Sequence, residues 1–395
     1  MNNEKFFEFI ENDSKTVIDK ITVIKADTTI RTPLTTKANK IIYYNRPIAF
    51  VQVYASEIVG YGECAALELP YYTYEYCDQS IFVLEEFILR ELKKNFTNGI
   101  SLCELHELFS KIQGYNMAKS AVEMALIDLK LKISNLNLQS LLDTSSKIIK
   151  FGAVIDGTKP IKELISEVDS LVNKKYSRVK VKINPSIKTE VIKELRNSFN
   201  DLEIFVDANE TFDSFKEALN YFRELDDLNL RLIEQPFDRD EILKHSRLGG
   251  LIASPICLDE PIVSSKIGKN LIELGACDIP CVKTGRMGGI VETLKFHRIL
   301  EDLGINGYIG GNFASEIGKF VDLLMASLPY FNLTFDFALR DRGLDINLCD
   351  EPEVRCIKGQ EFGLYLNSDH YGLGKKFDFS ALEDRIIHSS TVDFT

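Results

Sequence analysis

Residues 177 to 185, SRVKVKINP, set Val179, Val181 and Ile183 against Lys180, Lys182 and Asn184 in strict alternation, and Pro185 stops the run. A period of two predicts a β-strand with both lysines on the face opposite the apolar side chains. On an edge strand that face would meet water, where Lys is common because it blocks further pairing. What the lysines look at therefore depends on the neighbouring elements.

From about residue 148 the neighbours repeat. Apolar runs recur as IKFGAVI, RVKVKI, LEIFVD, LRLIEQ, PICLDE, IPCVK and NGYIGG, separated by helical stretches such as TEVIKELRNSF, SFKEALNYFREL and IVETLKFHRILEDLG. The polar residues closing successive runs, Lys182, Asp207, Glu234, Asp259 and Lys283, follow one another at 24 to 27 residues. Alternating strand and helix at that period predicts an α/β fold of the (β/α) TIM-type barrel class, whose eight units need roughly 250 residues. A doubly wound open sheet shares the local alternation, but seven runs so evenly spaced favour closure. The first 145 residues read instead as α+β, with strands and hairpins in 19–30 and 40–64 and helical patterns near 77–95, 102–113 and 116–133. In the last of these, Ala118, Val122, Ala125, Leu126 and Leu129 recur at helical spacing and predict a core-facing stripe.

Composition narrows the partners. The 395 residues carry 47 Lys and Arg against 59 Asp and Glu, a net charge of −12, the wrong sign for a phosphate-backbone binder, so nucleic acid is excluded. No apolar run is long enough to span a membrane, and the acidic, polar start MNNEKFFEFIENDSK lacks a signal-peptide pattern, so a cytoplasmic protein is expected. The eight cysteines include no C-x-x-C pair and read as reduced core thiols; Cys277 and Cys281 lack a second Cys/His pair for zinc.

Barrel closure changes the reading of the lysine face. A closed ring has no water-facing edge, and its strand ends converge on one mouth, where active sites sit. Asp207, Glu234 and Asp259 on successive strands would repel one another in a low-dielectric mouth unless a cation neutralised them. Taken singly, each acid reads as well as a helix cap or surface charge; three in phase point to a shared ion. An all-oxygen set suits Mg²⁺, with Mn²⁺ as an alternative, and His106, His245, His297, His370 and His388 all fall outside the strand ends, which disfavours zinc. Lys182 beside such an ion is a candidate general base, with Lys180 expected to depress its pKa and Lys283 expected to face the substrate from the other side. The chemistry this suggests is removal of a proton α to a carboxylate, giving an enediolate. A buried amine paired only with Asp259 or Glu260 is the other reading of Lys283.

The motifs KVKINP, VDAN, IEQPF, CLDEPI and VKTGRMGGI, in this order, resemble the enolase superfamily, muconate-lactonizing subgroup, and most closely the o-succinylbenzoate synthase / N-acylamino acid racemase family. GYGECAALELPYYTYE and AVEMALIDLK resemble that family's capping segment and the helix leading into its barrel, so the resemblance covers roughly residues 17 to 378. It implies an α+β capping domain over 1–145, a barrel over 146–345 and a C-terminal segment, 346–395, returning to the cap. It also implies Asp207, Glu234 and Asp259 as Mg²⁺ ligands, Lys182 as base with Lys180 beside it, Lys283 opposite, and Asn209 and Glu260 around them.

The activity implied is o-succinylbenzoate formation by syn-dehydration in menaquinone synthesis, with N-acylamino acid racemisation on the same pocket. A racemase or epimerase of N-acylated amino acids or dipeptides, or a specialised cycloisomerase, is the alternative. A non-catalytic enolase-like binding protein would lack a ligand or a lysine, and none is missing. The substrate is expected to be a small carboxylate, and members of the superfamily commonly form homo-oligomers. One stretch departs from the family pattern: GGNFASEIG, 310–318, has Asn312 for Met, Ala314 for Glu and Glu316 for Gly. It is expected near the eighth strand, with Gly310, Gly311, Asn312 and Phe313 touching substrate, while loops 32–40 and 69–76 close over the site and offer Tyr71, Tyr72 or Tyr74.

Overall fold

The computed structural model describes residues 3–36, 41–142, 144, 148–359 and 361–394. The amino-terminal part builds an antiparallel sheet from Lys20–Ala26, Ile48–Ala55 and Ile58–Cys64. A fourth strand, Ile386–Asp393, pairs with Lys20–Ala26 in register from Lys20 with Asp393 to Lys25 with His388. This strand lies at one edge of the sheet. The helix Asn116–Ile133 lies against this sheet, and two glycines set how closely. A Cβ on Gly62 would stand 2.0 Å from the backbone oxygen of Ala121, and one on Gly60 would stand 2.0 Å from that of Ala125.

The predicted stripe on that helix is too narrow. Its apolar positions are buried, but so are Lys119, Glu123, Asp128 and Lys130 on its other faces, because the helix runs through the middle of the cap. Each buried charge has partners: Asp128 accepts from the N–H groups of Tyr61 (2.8 Å) and Leu373 (2.7 Å), and Lys130 bonds Asp13, the Ser14 carbonyl and Thr16. The predicted helix near 77–95 is likewise present, with a π turn at Leu84–Ile88 between α-helical halves.

The barrel consists of eight parallel strands: Phe151–Asp156, Arg178–Lys182, Glu203–Asp207, Leu232–Glu234, Ile256–Leu258, Ile279–Val282, Tyr308–Ile309 and Phe335–Asp336. Seven match the runs read from the sequence. The eighth, inside LTFDF, does not; GGNFASEIG follows the seventh strand and lies beside the eighth, with the Gly311 N–H 3.5 Å from Asp336 Oδ2. Strands seven and eight meet at a seam where the Gly307 N–H donates to the Tyr330 carbonyl at 2.8 Å.

Inside the ring, Phe205, Leu232, Cys257, Ile279, Cys281, Tyr308 and Leu333 pack as a separate apolar cluster. On the second strand Val179 and Val181 point out to the helices, while Arg178, Lys180 and Lys182 point in, and all five are buried. The lysine face therefore looks into the barrel. Arg178 lies with its guanidinium 4.4 Å from the centre of the Phe205 ring, and the absent side chain of Gly152 makes room for it.

Two outcomes follow. Gly62→Ala has only backbone to push against, so it should lower stability by about 2 kcal/mol or more in urea denaturation, at the upper end of overpacking costs. His245 and His297 are both buried, and burial pushes each down to about 4, below the ordinary value near 6.5. Their stability contribution is present above pH 6.5 and is lost as pH falls from there towards 4. Unfolding midpoints should drop across that window, and His245→Gln should flatten the slope.

Candidate active site

The C-terminal ends of the strands surround a cavity of about 340 Å³. Its floor holds Lys180, Lys182, Asp207, Glu234, Asp259 and Lys283, and its walls include Ile155, Phe313 and Phe337 from the barrel and Tyr72 and Leu67 from the cap. Lys182 and Lys283 come from the second and sixth strands, which lie opposite one another in an eight-stranded ring. Lys182 Nζ contacts Asp207 Oδ2 at 2.6 Å and Asn209 Oδ1 at 2.5 Å. Lys283 Nζ contacts Asp259 Oδ2 at 2.8 Å and the Tyr72 hydroxyl. Each lysine has its own carboxylate. Lys283 is thus paired with Asp259, and it also lines the cavity, so the two readings of this residue coexist.

Lys180 sits deeper, 2.7 Å from Asp336 Oδ2, 3.1 Å from Glu234 Oε2 and 3.8 Å from Asp207 Oδ2. Burial works against its ammonium, but Asp336, Glu234 and Asp207 prevail and hold its pKa well above the ordinary lysine value. Lys283 is likewise raised, burial again being outweighed by Asp259. The carboxylates beside these two amines keep both of them charged.

Among the acids, burial and the neighbouring Asp207 push Glu234 up to about 7. Asp259 is held well below the carboxylate range: burial opposes its charge, but Arg286 and Lys283 win. Burial, Asp259 and Glu210 push Glu260 up to about 8, and its Oε2 is buried without a hydrogen-bond partner. Glu234 and Asp259, with Cys281, present ligand atoms all within 4.8 Å of one another. Asp207 stands outside that group, turned to Lys182. Asn209 links the two sides, taking the Lys182 ammonium on its oxygen and donating to Glu260 at 3.3 Å. Asn209, Glu210 and Gln235, just past the third and fourth strands, all adopt left-handed backbone with φ of 41°, 65° and 43°.

Other expected contacts divide. Gly311, Asn312 and Phe313 line the cavity, whereas Gly310 backs Lys283 instead, where a Cβ would stand 3.1 Å from Lys283 Cε. Tyr72 is buried in the site, but Tyr71 and Tyr74 are exposed to solvent. Thr32 and Pro33, expected in a loop over 32–40, reach the cavity from a strand, Thr29–Thr36, and residues 37–40 lie outside the described part of the chain.

The described residues match two family profiles. One, described as mandelate racemase / muconate lactonizing enzyme, N-terminal domain, covers 19–143, and one described as enolase C-terminal domain-like covers 163–356. The chain is 31% identical over 355 residues to an o-succinylbenzoate synthase from Geobacillus stearothermophilus, covering 90% of this chain and 92% of that protein. The chain belongs to the enolase superfamily. It is 33% identical over 284 residues to an N-succinylamino acid racemase from an Amycolatopsis species, across 72% of this chain and 76% of the relative. A crystal structure of an enolase superfamily member from Listeria innocua superposes with a TM-score of 0.87 at 27% identity, covering 96% of this chain and all of that one. These relatives, together with the matching capping domain and barrel, indicate an enzyme of the lyase/isomerase type acting on small molecules. Among the described residues, no helix is long and apolar enough to cross a membrane.

Three further residues escaped the sequence reading. Asp336 binds both Lys180 and Arg178, whose Nη2 reaches its Oδ1 at 2.5 Å. It lies two strand-to-strand periods beyond Lys283, and that spacing was the available signal. Arg286, on the short helix Thr284–Met287, donates to Asp259 Oδ1 at 2.6 Å and to the Tyr72 hydroxyl at 2.8 Å. Tyr308 donates to Glu234. Asp336→Asn should leave Arg178 and Lys180 short of a buried counter-charge and cost about 3–5 kcal/mol in chemical denaturation; a loss under 1 kcal/mol would mean the pair of cations is satisfied without it.

Proposed function

We propose that this enzyme removes a proton α to a carboxylate with the help of Mg²⁺, as an o-succinylbenzoate synthase does, in menaquinone synthesis. The observation that carries the reading is the pair of buried amines, Lys182 and Lys283, facing each other across one cavity from opposite strands. Glu234 and Asp259 stand together beside Cys281, and Asp207, paired with Lys182, lines the same cavity; the three carboxylates would be the oxygen donors for a hard divalent ion, and the adjacent Glu260 keeps an unpartnered buried oxygen. When bound, Mg²⁺ or Mn²⁺ supplies charge that stabilises the enediolate and favours a neutral lysine.

The chain's residues then divide the work. Lys182 Nζ takes the α-proton, and the C–H electron pair forms the new double bond. As the C–O bond breaks on the same face, Lys182 returns that proton to the departing hydroxyl, which leaves as water. Lys283, held by Asp259, keeps its charge over the opposite face. Asn209 and Asp207 orient Lys182, and Tyr72 with Arg286 orient Lys283.

The near-symmetry of the two amines also supports a second reading, racemisation of N-acylated amino acids, in which each lysine serves one face. Supplying Mg²⁺ and the cyclohexadiene precursor tests the choice. Aromatisation with water loss is expected, and Lys182→Ala should reduce it by roughly 10³-fold or more, as loss of a general base does. Undiminished turnover by that variant would exclude Lys182 as the base. α-Proton exchange on N-succinyl amino acids without any dehydration would move the assignment to the racemase.

A further inference from the structure

The stretch that departs from the family pattern is held from the cap at three points. Arg46, which is fully buried, donates from Nε to the Phe313 carbonyl (3.2 Å) and from its two terminal nitrogens to the carbonyls of Pro47 (2.9 Å), Ala66 (2.8 Å) and Ala65 (3.1 Å). Asn312, which lines the cavity, donates from its amide to the Ala65 carbonyl at 3.0 Å. Glu63, on the cap strand Ile58–Cys64, accepts from the N–H groups of Ser315 (3.1 Å) and Gly318 (3.0 Å) and from the Ser315 hydroxyl (2.5 Å).

Between these grips Phe313 adopts φ of 47°, the left-handed region, where a Cβ crowds the following carbonyl. A bulky residue keeps such a backbone only where its surroundings over-determine it. Here they do. The guanidinium is a planar fork whose other donors are already committed to cap carbonyls, so it cannot slacken towards Phe313 without breaking those bonds. The Phe313 ring lines the same cavity as Lys182 and Lys283.

We infer that Arg46 and Glu63 are positioning residues that fix Phe313 as a rigid aromatic wall of the cavity, and that this wall selects substrates by size beside the reacting carbon. Substrates with a flat or unbranched apolar portion fit against it, and branched or bulky ones do not. The selectivity half of the inference rests on the proposed α-proton chemistry; the conformational half does not.

Two measurements on the full chain separate them. In thermal unfolding, Phe313→Ala and Phe313→Gly both delete the ring, but only Gly accepts the left-handed backbone without strain, so the Gly variant should melt higher. Replacing Arg46 with Lys, or with Met where that variant folds, should abolish the difference. An Ala variant as stable as the Gly variant would overturn the constraint on Phe313. In the second measurement, deuterium exchange at Cα is followed for N-succinyl amino acids with small and with branched side chains, with Mg²⁺ present. Phe313→Ala, Arg46→Lys and Glu63→Gln should each raise the branched-to-small ratio of kcat/KM about tenfold or more, chiefly through KM. An unchanged ratio would overturn the role in selectivity. Failure of the native enzyme on these substrates and on the cyclohexadiene alike would instead sink the proposed function, while the melting comparison would still decide what Arg46 does to Phe313.

Discussion

A period-two strand in a closed ring must send every second side chain inward, and in the second strand those side chains are Arg178, Lys180 and Lys182. Nothing in a barrel interior solvates three cations, so the remaining strands must supply the opposite charge. They do so from strand ends that converge on the same place: Asp207, Glu234, Asp259 with Glu260, and Asp336. Five acids then face five bases once Lys283 and Arg286 are counted. Most of these groups are paired directly, while Glu260, pushed up to about 8, keeps one buried oxygen without a partner.

The balance also explains why the pKa values spread apart. Carboxylates with a dedicated cation, such as Asp259 beside Arg286, stay ionised, whereas Glu234 shares Lys180 with two other acids and is pushed up to about 7 by burial and Asp207. Similar groups within one cavity thus acquire different proton affinities from their neighbours alone. Groups driven apart in this way are the ordinary raw material of acid and base catalysis.

The sequence carried much of this. Alternation in SRVKVKINP and the 24- to 27-residue spacing of strand-end residues were enough for seven strands, the acid floor and the two opposed lysines, because a long regular period survives local noise. What stayed hidden was set by contacts between distant segments. Asp336 sits on a two-residue strand with no alternation of its own, and Arg286 owes its place to Asp259, a residue on the preceding strand. Lys180 is two positions from Lys182 in the sequence, but only the fold sets it against Asp336, Glu234 and Asp207, which hold its ammonium charged. The bond from the Asn312 amide to the cap carbonyl of Ala65 likewise comes into view only with the fold.

The cap sheet has its own consequence. Its strand Lys20–Ala26 is flanked on one side by Ile386–Asp393, and the hydroxyls of Thr22 and Thr391 meet at 3.0 Å although 369 positions separate them. During synthesis the amino-terminal segment therefore waits, one edge unpaired, while the whole ring is translated. Closing so long a loop is slow compared with forming successive βα units. Pairing at that edge can form only after every strand of the ring has been synthesised, so the cap sheet ties together segments made before and after the barrel.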